Sequence, residues 1–173
     1  MTAVRRRRVL LVSSSGGHWT ELRRLAPAFD GCERHWCSVI PEMAREISNG
    51  VSNGVARDGD RFHLVPDASR WNKLRLLWSA LRVALVLVRV RPDVVVSTGA
   101  APGFFAVSLA RFVGARSVWV DSIANAEELS MSGQKASRVA TLALTQWPEL
   151  GPPLPAQPGS RVRGTAYYAG SVV

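Results

Sequence analysis

Val9-Leu10-Leu11-Val12 runs straight into Ser13-Ser14-Ser15-Gly16-Gly17-His18-Trp19, an apolar strand followed by a Gly-Gly turn and the start of a helix. In α/β folds this junction is where anionic groups bind. Without a Cβ, Gly16 and Gly17 allow a tight backbone path and close ligand approach. The helix that follows aims free N–H groups and its positive dipole end at a phosphate. Taken alone, the stretch also fits a plain tight turn. It is not a dinucleotide fingerprint, which needs a third glycine, nor a Walker A loop, which needs Gly-Lys-Ser/Thr.

Outward from this junction strands and helices alternate, the pattern of a Rossmann-like α/β fold with a parallel sheet wrapped by helices. The first strand reads as Val9 to Ser13, with a helix from about Thr20 to Phe29 behind it. His35 to Ile40 and Arg61 to Val65 are further strands, and Asp93 to Ser97 is a strongly apolar one whose valine run marks burial on both faces. A helix starting at Pro102 or Gly103 reaches Phe112, with proline well placed in its first turn. Ser117 to Val120 and Leu142 to Thr145 are strands, and Lys135 to Thr141 ends a helix. Past Trp147 the composition shifts to Gly151, Pro152, Pro153, Pro155, Pro158 and Gly159. The expected domain therefore covers residues 1–150, and 151–173 reads as a linker and an apolar tail, Tyr167 to Val173, free to dock on a partner or on the sheet edge. The loop from Ser48 to Gly59 reads as mobile.

A length of 173 residues gives room for one ordinary domain, and a two-domain enzyme needs roughly twice that. With 47% hydrophobic and 20% charged residues the chain builds a real core. The formal charge of +9 calls for an anionic partner: a membrane surface, a diphosphate ligand or nucleic acid. Nucleic acid accounts for the charge and little else, since no zinc motif, RNP-type aromatic pattern or helix-turn-helix signal is present. Arg5 to Arg8 read as a solvated terminus. Cys32 and Cys37 are too few for a disulfide scaffold and lack a second pair for zinc, so free thiols in a reducing compartment, with no metal and no cofactor, are the expectation. No signal peptide and no clean transmembrane span are read in the chain.

Three polar loops end apolar strands and would line one crevice: Ser13 to His18, Ser97 to Gly103 and Asp121 to Asn125. Ser14, Ser15, Gly16 and Gly17 are candidates to hold an anion. His18, beside a helix N-terminus that disfavours added positive charge, is a candidate proton acceptor or a structural histidine. Thr98 and Gly99 offer a hydroxyl and an amide to a phosphate or sugar, or make a sharp turn. Asp121 holds a sugar hydroxyl or His18, or caps a turn with Ser122.

Trp71 to Arg91 reads as a helix in which Arg75, Arg82 and Arg89, seven apart, form a narrow polar stripe with Ser79. More than half of the circumference is apolar, more than one sheet contact requires. Trp71, Lys73, Arg75, Trp78, Arg82 and Arg89 are therefore candidates for a membrane interface; a partner surface and burial between sheet and helices are the alternatives.

Several stretches in order resemble one group of glycosyltransferase subunits: Ser-Gly-Gly-His-Trp-Thr-Glu-Leu (15–22), Val-Ser-Thr-Gly-Ala (96–100), Val-Trp-Val-Asp-Ser (118–122), Leu-Ser-Met-Ser-Gly (129–133) and Thr-Gln-Trp-Pro-Glu-Leu (145–150). The group includes the eukaryotic membrane-anchoring subunit of the two-part UDP-GlcNAc transferase acting on dolichyl-diphosphate-GlcNAc, and bacterial capsule and exopolysaccharide subunits. The resemblance implies the N-terminal half of a GT-B glycosyltransferase, the acceptor-binding and membrane-facing half. A UDP-sugar would sit on a separate donor-binding partner, and this chain would be inactive without it. It further implies a peripheral place on the cytoplasmic face of a membrane, a lipid-diphosphate sugar over Gly16 and Gly17, His18 at the general-base position and Thr98-Gly99 as a second acceptor loop. Two departures stand out: Asp121 replaces the family's usual glutamate, and Ile123-Ala124-Asn125-Ala126 replaces an often arginine-rich stretch.

Overall fold

A computed structural model describes residues 5–48, 59–67 and 71–172. Its strands are Arg8–Val12 (β1), Glu33–Ser38 (β2), Arg61–Leu64 (β3), Val94–Ser97 (β4), Arg116–Val120 (β5), Leu142–Thr145 (β6) and Ala166–Tyr168 (β7). All neighbouring pairs are parallel, in the order β3-β2-β1-β4-β5-β6-β7. The helices are Gly17–Leu25 (α1), Pro41–Ser48 (α2), Lys73–Val90 (α3), Ala100–Leu109 (α4) and Met131–Ser137 (α5), with 3-10 turns extending α1 to Phe29 and α4 to Val113. The α/β expectation holds. The first helix starts three residues earlier than read, at the Gly-Gly turn itself, and α2 has no counterpart in the sequence reading. Positions 49–58 of the loop read as mobile lie outside the described residues.

β1 shows why the sheet has this form. Val9 and Leu11 point to one face, where they meet Trp19, Leu22, Ala26, Trp36 and Met43. Leu10 and Val12 point to the other, where Val83, Leu87, Ala106, Val107 and Trp119 close the second core. A strand buried on both sides needs apolar residues at every position, hence the unbroken run. After β1 the chain steps outward through β2 and β3. It then returns over the other face through α3 and α4 to build β4 to β7, and the strand order reverses between β1 and β4.

The segment past Trp147 folds back onto this sheet. Leu154 N–H donates to the Tyr168 carbonyl at 2.9 Å and Tyr168 N–H to the Pro152 carbonyl at 2.9 Å, while β7 pairs along β6. Of the two docking places open to the tail, the sheet edge is the one found. Arg5 is tied by its guanidinium to Asp93 at 2.8 Å, so the basic terminus is anchored at that point.

Both cysteines are free, and burial pushes the Cys37 thiol up to about 12. On β2 and β3, His35 and His63 stack at 5.2 Å with Nδ1 of the first 2.9 Å from Nε2 of the second. Burial lowers both below the ordinary histidine value, His63 to about 4. A histidine held neutral when folded takes its proton only in the unfolded chain. Its contribution is therefore intact above about pH 6.5 and is lost as pH falls toward 4. After discounting for solvent screening, the loss is on the order of 1–2 kcal/mol. Denaturant unfolding at pH 7.5 and pH 4.5 should show it, and His63→Gln should flatten the difference; an equal acid loss in that variant counts against the assignment.

Candidate functional site

The order reversal between β1 and β4 makes a crevice at the carboxyl ends of these strands, the place where open parallel sheets take ligands. Two of the three loops read from the sequence flank it directly. Gly16, at φ 69°, turns the chain from β1 into α1, and no side chain caps that helix. Ser15, Gly16 and Gly17 are exposed, with open space over both glycines. The loop is fixed from beneath, where the Ser14 carbonyl accepts from the hydroxyls of Ser13 at 3.0 Å and Ser38 at 3.2 Å. The expected anion-holding residues thus form an exposed crest on a held base.

His18 bridges the two loops. The Thr98 hydroxyl donates to its carbonyl at 2.6 Å, and its imidazole lies against Gly99, where a Cβ would come within 2.4 Å of the ring. Gly99 takes φ 151° and Ala100 is held at φ 63°, a conformation costing about 1 kcal/mol or more for a residue with a Cβ. The Gly99 amide is spent on the Ser97 hydroxyl at 3.1 Å. Thr98, fully buried, therefore positions His18 instead of presenting its hydroxyl outward. His18 Nδ1 is buried without a hydrogen-bond partner among the described residues, a costly state that recurs at sites built for a ligand.

The third loop joins through residues that had no assigned role above. Glu21 of α1 accepts at one carboxylate oxygen from the Ser122 hydroxyl and the Ile123 amide, both at 2.9 Å. From the other side, Gln146 donates to the Asp121 carbonyl at 3.0 Å and the Trp147 indole to the Ile123 carbonyl at 2.8 Å. Glu21, Gln146 and Trp147 all stand inside the quoted signatures, which was the one signal that could have singled them out. Asp121 does not reach His18. Its Oδ1 accepts from the Trp119 indole at 3.0 Å and the Ser130 hydroxyl at 2.6 Å. Its Oδ2 accepts from the Ser130 amide at 2.8 Å and the Asn125 side chain at 3.2 Å. Buried with both oxygens engaged, it organises its own loop, closing on Ser130 and not on Ser122.

α3 runs beside this crevice and opposite in direction to the strands. Asn72 caps it by accepting from the Arg75 amide at 3.0 Å, and Arg91 ends it in a left-handed conformation. Its buried row is Ser79, Val83, Leu87 and Val90, so Ser79 belongs to the core and not to the polar stripe read from the sequence. Arg75, Arg82 and Arg89 are exposed along one border of that row. Beyond them Leu74, Leu77, Trp78, Leu81, Leu85 and Val88 are also exposed, Leu74 at 80%. Burial between sheet and helices is thus excluded for this face. Trp71 and Lys73, at the start of the helix, are exposed as well. No helix among the described residues is long and apolar enough to cross a membrane.

The fold and crevice define one Rossmann-type half of a GT-B architecture. Acinetobacter baumannii MurG superposes with a TM-score of 0.68 at 14% identity, covering 96% of this chain and 46% of that one. UDP-N-acetylglucosamine 2-epimerase from Rickettsia bellii gives 0.64 at 12%, covering 96% and 45%. The chain thus spans a little under half the length of these solved structures. Among curated proteins it is similar to the UDP-N-acetylglucosamine transferase subunit ALG14: 26% identical over 169 residues to the human protein, covering 82% of this chain and 76% of that one. The mouse protein is 28% identical over 172 residues, covering 83% and 76%. No family model matches the chain. The similarity supports the resemblance read from the signatures, a glycosyltransferase accessory subunit.

Proposed function

We propose that this chain is the acceptor-binding, membrane-recruiting subunit of a two-part inverting glycosyltransferase in polysaccharide biosynthesis, working peripherally on the cytoplasmic face of a membrane. The acceptor is a lipid-diphosphate-linked sugar. Its diphosphate lies over Ser14 to Gly17, where the first-turn amides and dipole of α1 favour anionic oxygens. A partner subunit presents the UDP-sugar. His18 takes the proton from the acceptor hydroxyl as that oxygen bonds to the anomeric carbon, and the bond to UDP breaks on the opposite face, inverting the centre. Thr98 and Gly99 position His18, and Asp121 holds the loop beside it. The observation that carries this reading is the crevice at the β1–β4 reversal with His18 pinned across it.

The recruiting role rests on α3. Trp78 and Arg82 line a hollow with Val39, Val65 and Pro66, which follow the carboxyl ends of β2 and β3, so the start of α3 stands at the same edge as the crevice. A lipid-linked acceptor reaching the crest then finds apolar side chains and arginines toward the bilayer.

Purified alone, the chain should transfer no sugar and bind no UDP-sugar tightly; robust transfer without a partner, or tight UDP-sugar binding, sinks the split-enzyme reading. In flotation with anionic vesicles, Leu77→Asp/Leu81→Asp should lose membrane association at every salt concentration. Replacing Arg75, Arg82 and Arg89 by glutamine should lose it most at moderate salt. Unchanged flotation of both variants makes the face structural. The exposed face of α3 taken alone also supports a second reading, an adaptor that docks the catalytic subunit and contributes no reacting group.

A further inference from the structure

Below α3, toward the amino ends of the strands and so at the opposite end from the crevice, a groove of about 960 Å³ opens between the helix and β2–β3. Arg8, Arg61, Arg82 and Arg89 line it against a single carboxylate, Glu33. Arg61 reaches Glu33 only at 3.8 Å, and Arg8 is committed by one guanidinium nitrogen to the Val90 carbonyl at 2.5 Å. Arg82 and Arg89 have no ion-pair or hydrogen-bond partner among the described residues. Their surplus charge faces the stacked histidines on the groove wall. His35 Nε2 lies 3.2 Å from Glu33 and its Nδ1 2.9 Å from His63 Nε2. One proton arrangement satisfies the whole chain: His63 donates to His35, and His35 donates to the carboxylate.

We infer that this groove is a second anion site, suited to a phosphate group, with Arg61, Arg82 and Arg89 as its ligands and the His63–His35–Glu33 chain as a proton-linked wall. Guanidinium forks match phosphate oxygens in pairs, and a dianion neutralises more of a four-to-one surplus than a carboxylate does. Arg61 comes from β3, Arg82 and Arg89 from α3 two turns apart, so the ligands converge from both walls. Glu33 on β2, Arg8 on β1, Arg61 on β3 and Arg89 on α3 are the charges that face the histidine pair. Burial opposes a proton on His63 first, and Arg89 and Arg61 oppose it further; a bound anion offsets these two arginines, so binding takes up a proton from solvent onto its free ring nitrogen. Leu85 and Val88, both exposed, form the outer lip, which leaves two sources for the phosphate: a phospholipid headgroup with hydrocarbon on that lip, or a free phosphorylated metabolite.

The chain holds only three histidines, one at the crevice and two in the groove, so imidazole resonances report the two places separately. Titration of the full chain with inorganic phosphate should move His35 and His63 together and saturably. Arg82→Gln/Arg89→Gln should weaken that response by about tenfold or more. No saturable movement of the pair up to roughly 50 mM phosphate, movement of His18 alone, or an unchanged response in the double variant each overturns the site. None of these results bears on transfer by the two-part enzyme, which is assayed apart. Sulfate, a dianion across the range, should bind more tightly at pH 5.5 than at pH 7.5, and His63→Gln should abolish that gain; a gain surviving the substitution removes the histidine chain from the site. Dihexanoylphosphatidic acid binding about tenfold more tightly than glycerol 3-phosphate upholds the site with a headgroup as occupant. Equal binding upholds it with the free phosphate compound.

Discussion

On the proposed two-part reading, replacing His18 with alanine in the chain reconstituted with a donor-binding partner is expected to lower kcat by about 100-fold or more while leaving KM for the proposed lipid acceptor within a few-fold. The split between the two constants follows from the geometry. The loop that would hold the acceptor diphosphate keeps its support from Ser13 and Ser38, whose hydroxyls donate to the Ser14 carbonyl. Thr98 holds the backbone carbonyl of residue 18, which alanine retains. What the substitution removes is the ring over Gly99 and the proton acceptor it supplies. Exogenous imidazole in the assay should restore part of the rate, an outcome that repacking alone does not produce. Activity close to that of the unmodified enzyme would give the adaptor reading instead. Gly99→Ala tests the same point from the other side of the contact. A Cβ within 2.4 Å of the ring must displace it, so kcat should fall although no reacting atom has been removed.

How far the sequence carried these conclusions depends on the range of the interactions concerned. The parallel sheet was legible because burial on both faces leaves a local imprint: Val94-Val95-Val96 cannot alternate, and it did not. The crevice was legible for a related reason, since strand ends and glycine turns lie in sequence and parallel strands bring their carboxyl ends to one edge. Ser79 was misplaced by a small angle. It sits four residues from Arg75, about 40° around the helix, close enough to seem part of the stripe, and only the packing of α3 on α4 and the sheet puts that 40° inside the core. β7 was hidden because three residues after a proline-rich run carry almost no periodicity. Its place is fixed by hydrogen bonds to Pro152 and Leu154 and by Val172 donating to Gln146 at 2.9 Å. The roles of Glu21, Gln146 and Trp147 were out of reach for the same cause, because each bonds to a loop about 25 to 100 residues away.

Asp121 shows how an open choice of this kind is decided by experiment. The sequence left it a choice between holding a ligand or His18 and holding a turn, and the two make opposite predictions for Asp121→Ala. As the acceptor of Trp119, Ser130 and Asn125 donors, it supports a buried loop, and its removal leaves those donors without partners. An unpaired buried donor costs about 1–3 kcal/mol, and water or relaxation recovers part of the total, so a net loss of about 3–4 kcal/mol is expected. For a domain of this size that is a fall in Tm of about 6–16 °C. Asp121→Asn should lose roughly half as much, because its carbonyl still accepts while its amide meets donors that it cannot satisfy. Asp121→Glu keeps the charge but adds a methylene to a site already closed at 2.6 Å by Ser130, and should lie between the two. The alternative, an acid that binds the acceptor sugar, predicts an unchanged Tm in all three variants with a raised KM. Thermal unfolding of the isolated chain separates the two, since it needs neither the partner nor the lipid. A Tm within about 2 °C of the unmodified protein would return Asp121 to the acceptor site.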